Sequence, residues 1–132
     1  MESESMIAFP ERENAVERDM DLIRDLLLMV EANPEMDGTH EFQFASGAFP
    51  DRSPEEVSYH LKKLIEAGFL HGNQHTALVS SLTWNGHEFL DNIKDPGIWG
   101  KTKKQLSGLP GVALTVVAQI AQAEIKKHLG LP

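Results

Sequence analysis

Apolar residues recur at helical spacing along several stretches of this chain, and residues that start or stop helices bracket most of them. Residues 19–33 predict a helix capped by Asp19 and ended by Asn33-Pro34. Met20, Ile23, Leu27 and Val30 repeat at helical intervals, while Leu22, Leu26 and Met29 widen the apolar face. A face this wide predicts burial against more than one neighbour. Residues 53–67 predict a second helix, with Ser53 as N-cap, Pro54 at the first helical position, Glu55 and Glu56 in the first turn, and Gly68 as the stop. At 100° per residue, Val57, Leu61, Leu64 and Ile65 share the inward face and Tyr59 and Glu66 lie opposite, with Lys62 and Lys63 on the flanks. Between these helices, residues 39–45 alternate around Phe42 and Phe44 and predict a short strand. In residues 46–52, Gly47 and Pro50 oppose anything longer than a turn.

The second half continues in the same manner. Residues 69–82 predict a hairpin turning at Gly72-Asn73-Gln74, and Thr83 caps a helix with Phe89, Leu90 and Ile93 inward. Asp95-Pro96-Gly97 reads as a break, residues 98–106 as a short helix, and residues 112–129 as a last helix ending at Gly130. A helix that ends in Glu66-Ala67-Gly68 and runs into Phe69-Leu70 resembles the recognition helix and first wing strand of winged-helix proteins. The fold expected is therefore α+β, a winged-helix domain with a C-terminal helical extension. Residues 1–17 are expected to form a flexible acidic arm, 18–95 the winged-helix core, and 96–132 the helices packed on it. The usual positioning helix is expected to be reduced or missing, because residues 46–52 can hold at most a turn or so.

Composition narrows the function classes. The 132 residues include no Cys, which excludes disulfides, thiolate metal sites and cysteine nucleophiles and fits a reducing cytoplasm. No apolar run is long enough to span a bilayer, and the N-terminus lacks the pattern of a secretory signal, so a cytoplasmic location is expected. The net charge of −8 is uneven, with −11 over residues 1–60 and +3 over 61–132. Nucleic-acid affinity comes largely from neutralising phosphates, so only the second half carries a suitable balance.

Four stretches also resemble one family: Arg18-Asp19-Met20-Asp21-Leu22-Ile23-Arg24, then Tyr59-His60-Leu61 with Glu66-Ala67-Gly68, then Leu82-Thr83-Trp84-Asn85-Gly86-His87-Glu88-Phe89-Leu90-Asp91, then Trp99 with Lys101. They are similar to an uncharacterised bacterial and prophage family catalogued as a domain of unknown function, over about Arg18 to Leu131. The resemblance implies a small winged-helix-like protein of bacteria or their phages, and it brings no catalytic residues.

No phosphate-binding glycine loop, nucleophile elbow or zinc-protease helix is present, so no enzyme, cofactor or metal is expected. Asp19, Asp21 and Asp25, like Glu55 and Glu56, sit at or near helix starts, where carboxylates serve the helix dipole. His71 and His75 flank a polar wing tip that lacks further ligands. His60 and His87 read as packing or hydrogen-bonding residues, and Trp84 and Trp99 as residues closing core edges. The function expected is a DNA-binding or transcription-regulatory accessory protein, with Tyr59, Lys62, Lys63, Lys101, Lys103 and Lys104 contacting duplex DNA. The alternative is a winged-helix module that binds another protein and no nucleic acid. The last helix carries two apolar stripes, one of Val112, Val116, Ile120 and Ala123, the other of Leu114, Val117, Ala121, Ile125 and Leu129. One stripe faces the domain, and the other is expected to pair with a second copy in a homodimer.

Overall fold

The computed structural model describes residues 17–45, 47–109 and 111–132. The arm expected over 1–17 lies outside the described residues apart from Glu17. Five helices and one two-stranded antiparallel sheet follow in the order α1 (Met20–Ala32), α2 (Pro54–Glu66), β1 (Leu70–Asn73), β2 (Leu78–Leu82), α3 (Trp84–Ile93), α4 (Pro96–Leu106) and α5 (Leu114–Leu129). This α+β arrangement is compatible with a winged-helix-like fold.

Capping explains where the helices begin. The side chains of Asp19, Ser53, Thr83 and Asp95 accept hydrogen bonds from the backbone N–H groups of Leu22, Glu56, Gly86 and Ile98. Each such cap contributes about 1 kcal/mol. Asp95-Pro96-Gly97, expected to break the chain, instead opens α4, because Asp95 caps it and Pro96 takes the first turn, where a missing N–H costs nothing. Helix α5 begins at Leu114, two residues later than expected, and ends at Gly130 with φ +73°.

The core gathers around α1, whose Leu22, Ile23, Leu26, Leu27 and Val30 are buried. α1 packs on α2, α3 and β2, as its wide apolar face predicts. Met29, at the margin of that face, is exposed. Arg24 ties α1 to the end of α3, donating to the carbonyls of Ile93 at 2.9 Å and Lys94 at 2.6 Å. From α2 come buried His60, Leu61 and Leu64, with Val57 and Ile65 only partly covered. From α3 come Phe89, Leu90 and Ile93.

The sheet departs from expectation in two places. Residues 39–45 do not form a regular strand. Phe42 makes a single antiparallel bridge with Val79, through bonds of 2.8 and 3.0 Å, and Phe44 turns aside to stack on Phe49. One bridge is too short to continue the ladder. The hairpin turn lies at residues 74–77, and β1 continues through Gly72 and Asn73. A bulge between His71 and Gly72 shifts the register, and the Asn73 side chain accepts from the N–H groups of His75 and Thr76 to close the turn. Ala77 completes it at φ +63°, unusual for a residue with a Cβ. Residues 47–52 form two successive turns, closed by Ala48 N–H to Ala45 C=O and Arg52 N–H to Phe49 C=O. No positioning helix fills that stretch among the described residues.

Candidate interaction surface on helix α2

The outer side of α2 is built from its own sequence spacing and from the two loops beside it. Tyr59 lies half-buried rather than fully exposed, because Lys63 extends over its ring, with Nζ 5.6 Å from the centroid, and the His60 ring meets it edge-on at 5.7 Å. Lys63 also pairs with Glu66 at 3.2 Å. Arg52, just before the helix, is held by Asp19 and by Glu56 at 3.2 Å. Of the cations nearest this face, Lys62 alone has no ion pair among the described residues. Glu55 is exposed beside it.

On α4, Lys103 is drawn to Asp21 at 2.9 Å and lies 5.8 Å from the Trp99 ring centroid. Lys101 and Lys104 are exposed. The two lysine groups expected to act together stand on helices with different partners, α2 packing on α1 and β1, α4 on α5 and α3. The first turn of α1 intervenes. Asp19 faces α2 through Arg52, and Asp21 faces α4 through Trp99 and Lys103.

Both carboxylates titrate below the usual aspartate value. Burial alone would raise Asp19, but hydrogen bonds from Arg52 and the Leu22 N–H, with the Arg52 charge, outweigh it. For Asp21 burial is again opposed, by hydrogen bonds from Lys103 and the Trp99 N–H and by the Lys103 charge. Such groups are fixed structural anions.

His60 joins the same corner from within. It is buried, and its Nε2 accepts from the Asp19 N–H at 2.8 Å while Nδ1 lies 2.8 Å from the Glu56 carbonyl. The first bond requires a bare Nε2, so the proton sits on Nδ1 and is donated to Glu56. His60, expected to pack or to hydrogen-bond, is thus a buried, hydrogen-bonded link between the start of α1 and α2. His87 stands exposed, 3.9 Å from Glu31. No group of three or more His, Asp or Glu residues is arranged to hold a metal among the described residues.

Beside α2 lies a groove of about 500 Å³. It is lined by Phe44 and Phe49, by Val57 and Leu61 of α2, and by Thr76 and Ala77 of the hairpin turn. Tyr59, Lys62, Arg52 and Glu55 make its polar margin. The groove lies against the turn region where a longer positioning helix would stand. Sequence reading marked Phe42 and Phe44 as a strand face and did not find this groove. The signal was present in Phe44 and Phe49, two aromatics with Gly47 between them and Pro50 after them, in a segment too short to bury them both.

Of the two Trp residues, Trp99 closes the core as expected, its N–H donated to Asp21 at 2.8 Å. Trp84 does not, being 78% exposed. At 100° per residue it lies 180° from Ile93 and 140° from Phe89, so α3 cannot turn it inward.

Comparison with known proteins adds a lineage. A family model described as "Hypothetical protein (DUF2513)" matches residues 17–113. That match spans α1 to α4 and stops just before α5, short of the reach to Leu131 expected from the sequence. An "Uncharacterized protein" of Haemophilus influenzae is 31% identical over 121 residues, covering 86% of this chain and 99% of its own length. No solved structure matches. No helix among the described residues is long and apolar enough to cross a membrane.

Proposed function

Since this chain belongs to the DUF2513 family, we propose its function from its own geometry: it is a non-catalytic, winged-helix-like module that binds a segment of another protein in the groove beside α2. The observation that carries this reading is the state of the cations. Arg52, Lys63 and Lys103 are each engaged by a carboxylate, while the neighbouring groove offers Phe44, Phe49, Val57 and Leu61. A surface of that kind suits an apolar anchor residue with a polar rim. A non-catalytic role is supported by the carboxylates of Asp19, Asp21 and Asp95 and by His60, all taken up in caps and ties between helices.

Two measurements test it. Random duplex DNA titrated by anisotropy at low salt is expected to show no binding at about 10 μM protein, within the usual non-specific range. A partner captured from bacterial cells by the full chain is expected to be lost with Phe49→Lys and kept with Lys101→Ala/Lys104→Ala. Duplex binding that weakens when Lys62 and Lys63 are replaced by Ala would overturn the reading in favour of the DNA-binding regulator. That second reading is supported by Lys62, Lys101 and Lys104, which have no ion pair among the described residues. Three such contacts limit the log–log salt slope to about −3. In that case Tyr59 would be the residue whose replacement alters sequence preference.

Association through α5 belongs to the same proposal. Val117 and Ala121 are buried, whereas Val116 is 40% exposed and Ala123 is exposed. The outward stripe, with half-buried Val112 and Ile120, is free to meet a second copy. Light scattering at tens of micromolar is expected to give a dimer, and Val116→Lys a monomer. A monomeric wild type rules the dimer out.

A further inference from the structure

Trp84 and the outer edge of β1 form a surface that neither the core nor the α2 groove uses. The sheet has two strands, and among the described residues only one of its margins is closed. Beyond β2, Gly38 N–H reaches the Ser80 carbonyl at 3.0 Å, and Phe42 exchanges two hydrogen bonds with Val79. Beyond β1 no strand follows among the described residues. A shallow cleft of about 600 Å³ runs there, lined by Ile65, Leu70, His71, Gly72, Trp84 and Asn85 among others, with no residue of β2 in its wall.

We propose that this edge takes an extended segment of a partner protein, which adds to β1 as a third strand and packs a side chain on Trp84. Three observations commit the site to that occupant. An open strand edge presents a row of main-chain donors and acceptors, and the matching ligand is another extended main chain. The cleft is lined by no Asp, Glu, Lys or Arg, so a phosphate backbone finds no cation there and a neutral peptide backbone finds no charge to desolvate. Trp84 is exposed beside it, and Trp is among the residues that most often dominate binding at protein interfaces. Gly72 fixes the shape of the edge. A Cβ there would overlap the Leu78 carbonyl oxygen of the paired strand, so glycine lets β1 keep its pairing with β2 across the register shift. Because β1 spans only Leu70–Asn73, the added strand is short, and the contact with Trp84 is needed to complete the affinity. This surface extends the binding-module reading and does not depend on the α2 groove.

The test uses the full chain. Phage-displayed short random peptides are panned against it, and the enriched sequences are synthesised and titrated against wild type, Trp84→Ala and Phe49→Lys. Binding to wild type is expected to shift Trp emission to the blue, and Trp84→Ala, folded by circular dichroism because the side chain is exposed, to weaken binding about tenfold or more. N-methylation of alternate peptide amides is expected to abolish binding to the wild-type chain for one alternating set and spare the other, the signature of a strand paired on one side. Phe49→Lys is expected to bind these peptides as wild type does. The inference is overturned if no peptide is enriched, if Trp84→Ala binds equally well, or if both methylated sets bind alike. Peptides lost with Phe49→Lys but kept with Trp84→Ala would assign them to the α2 groove and refute this edge. A wild-type dimer converted to monomer by Trp84→Ala would identify a second copy of the chain as the occupant and refute a foreign partner.

Discussion

Replacing Gly86 by Ala is expected to destabilise the chain by about 3 kcal/mol, at the upper end of the usual cost of overpacking. Gly86 lies in the first turn of α3, where a Cβ would overlap the Phe69 carbonyl oxygen and press on Leu82. The obstacle is backbone, so no rotamer change relieves it. The same carbonyl accepts from the Thr83 N–H at 3.1 Å, and the Thr83 hydroxyl donates to Gly68 while accepting from Gly86 N–H at 2.9 Å. Any shift that makes room therefore strains the junction of β1 with the start of α3. Gly100→Ala is the control, because nothing lies within 4 Å of a Cβ at that exposed helical position. It is expected to stabilise by about 0.5–1 kcal/mol, since Ala loses less backbone entropy in a helix. Urea denaturation followed by circular dichroism reads both. Equal effects of the two substitutions would show that α3 is not pressed against Phe69.

His60→Ala is expected to cost about 3 kcal/mol or more. The ring is buried, and its loss opens a cavity, orphans the Asp19 N–H and releases the bond to the Glu56 carbonyl. His60→Phe keeps much of the ring volume but neither bond, and about 2 kcal/mol of loss is expected. If His60→Phe matches wild type, the ring serves only as filler. The same corner is sensitive to acid. Asp19 has a folded-state pKa below its ordinary value, so its contribution is present above about pH 4 and is lost as pH falls through the lowered value. Asp19→Asn is expected to remove about 1 kcal/mol at pH 7 and to flatten the acid limb of the stability curve.

Much of the local structure was written in single residues. Ser53 and Thr83 each supply an oxygen to a helix N-terminus, and Gly130 accepts a left-handed φ that ends α5. These effects act over three or four residues, so no tertiary information is needed to read them. Leu22, Leu26, Leu61, Phe89 and Leu90 were legible as core for a related reason: helical period alone decides that they share a face. The candidate site was less legible. Tyr59 and Lys62 do border the groove, but its lining also takes in Phe44, from a stretch whose alternation had suggested a strand, and Phe49, from the turn that follows.

The sequence by itself determined the five helices and the hairpin of the described residues, and the turns that replace a longer helix over 47–52, because periodicity, caps and breakers are properties of neighbouring residues. It also determined that Trp84 faces away from Ile93, although the reading of a Trp as core obscured it. Only the tertiary structure decided which charges remain free. Lys63, Lys101, Lys103 and Lys104 look alike along the chain, yet Lys103 is drawn to an aspartate 82 positions away, and Arg52 is held by one 33 positions away. Pairing depends on which helix ends the fold brings within a few ångströms, because in solvent such attraction fades within about a Debye length. The chain order of the residues carries no record of that distance.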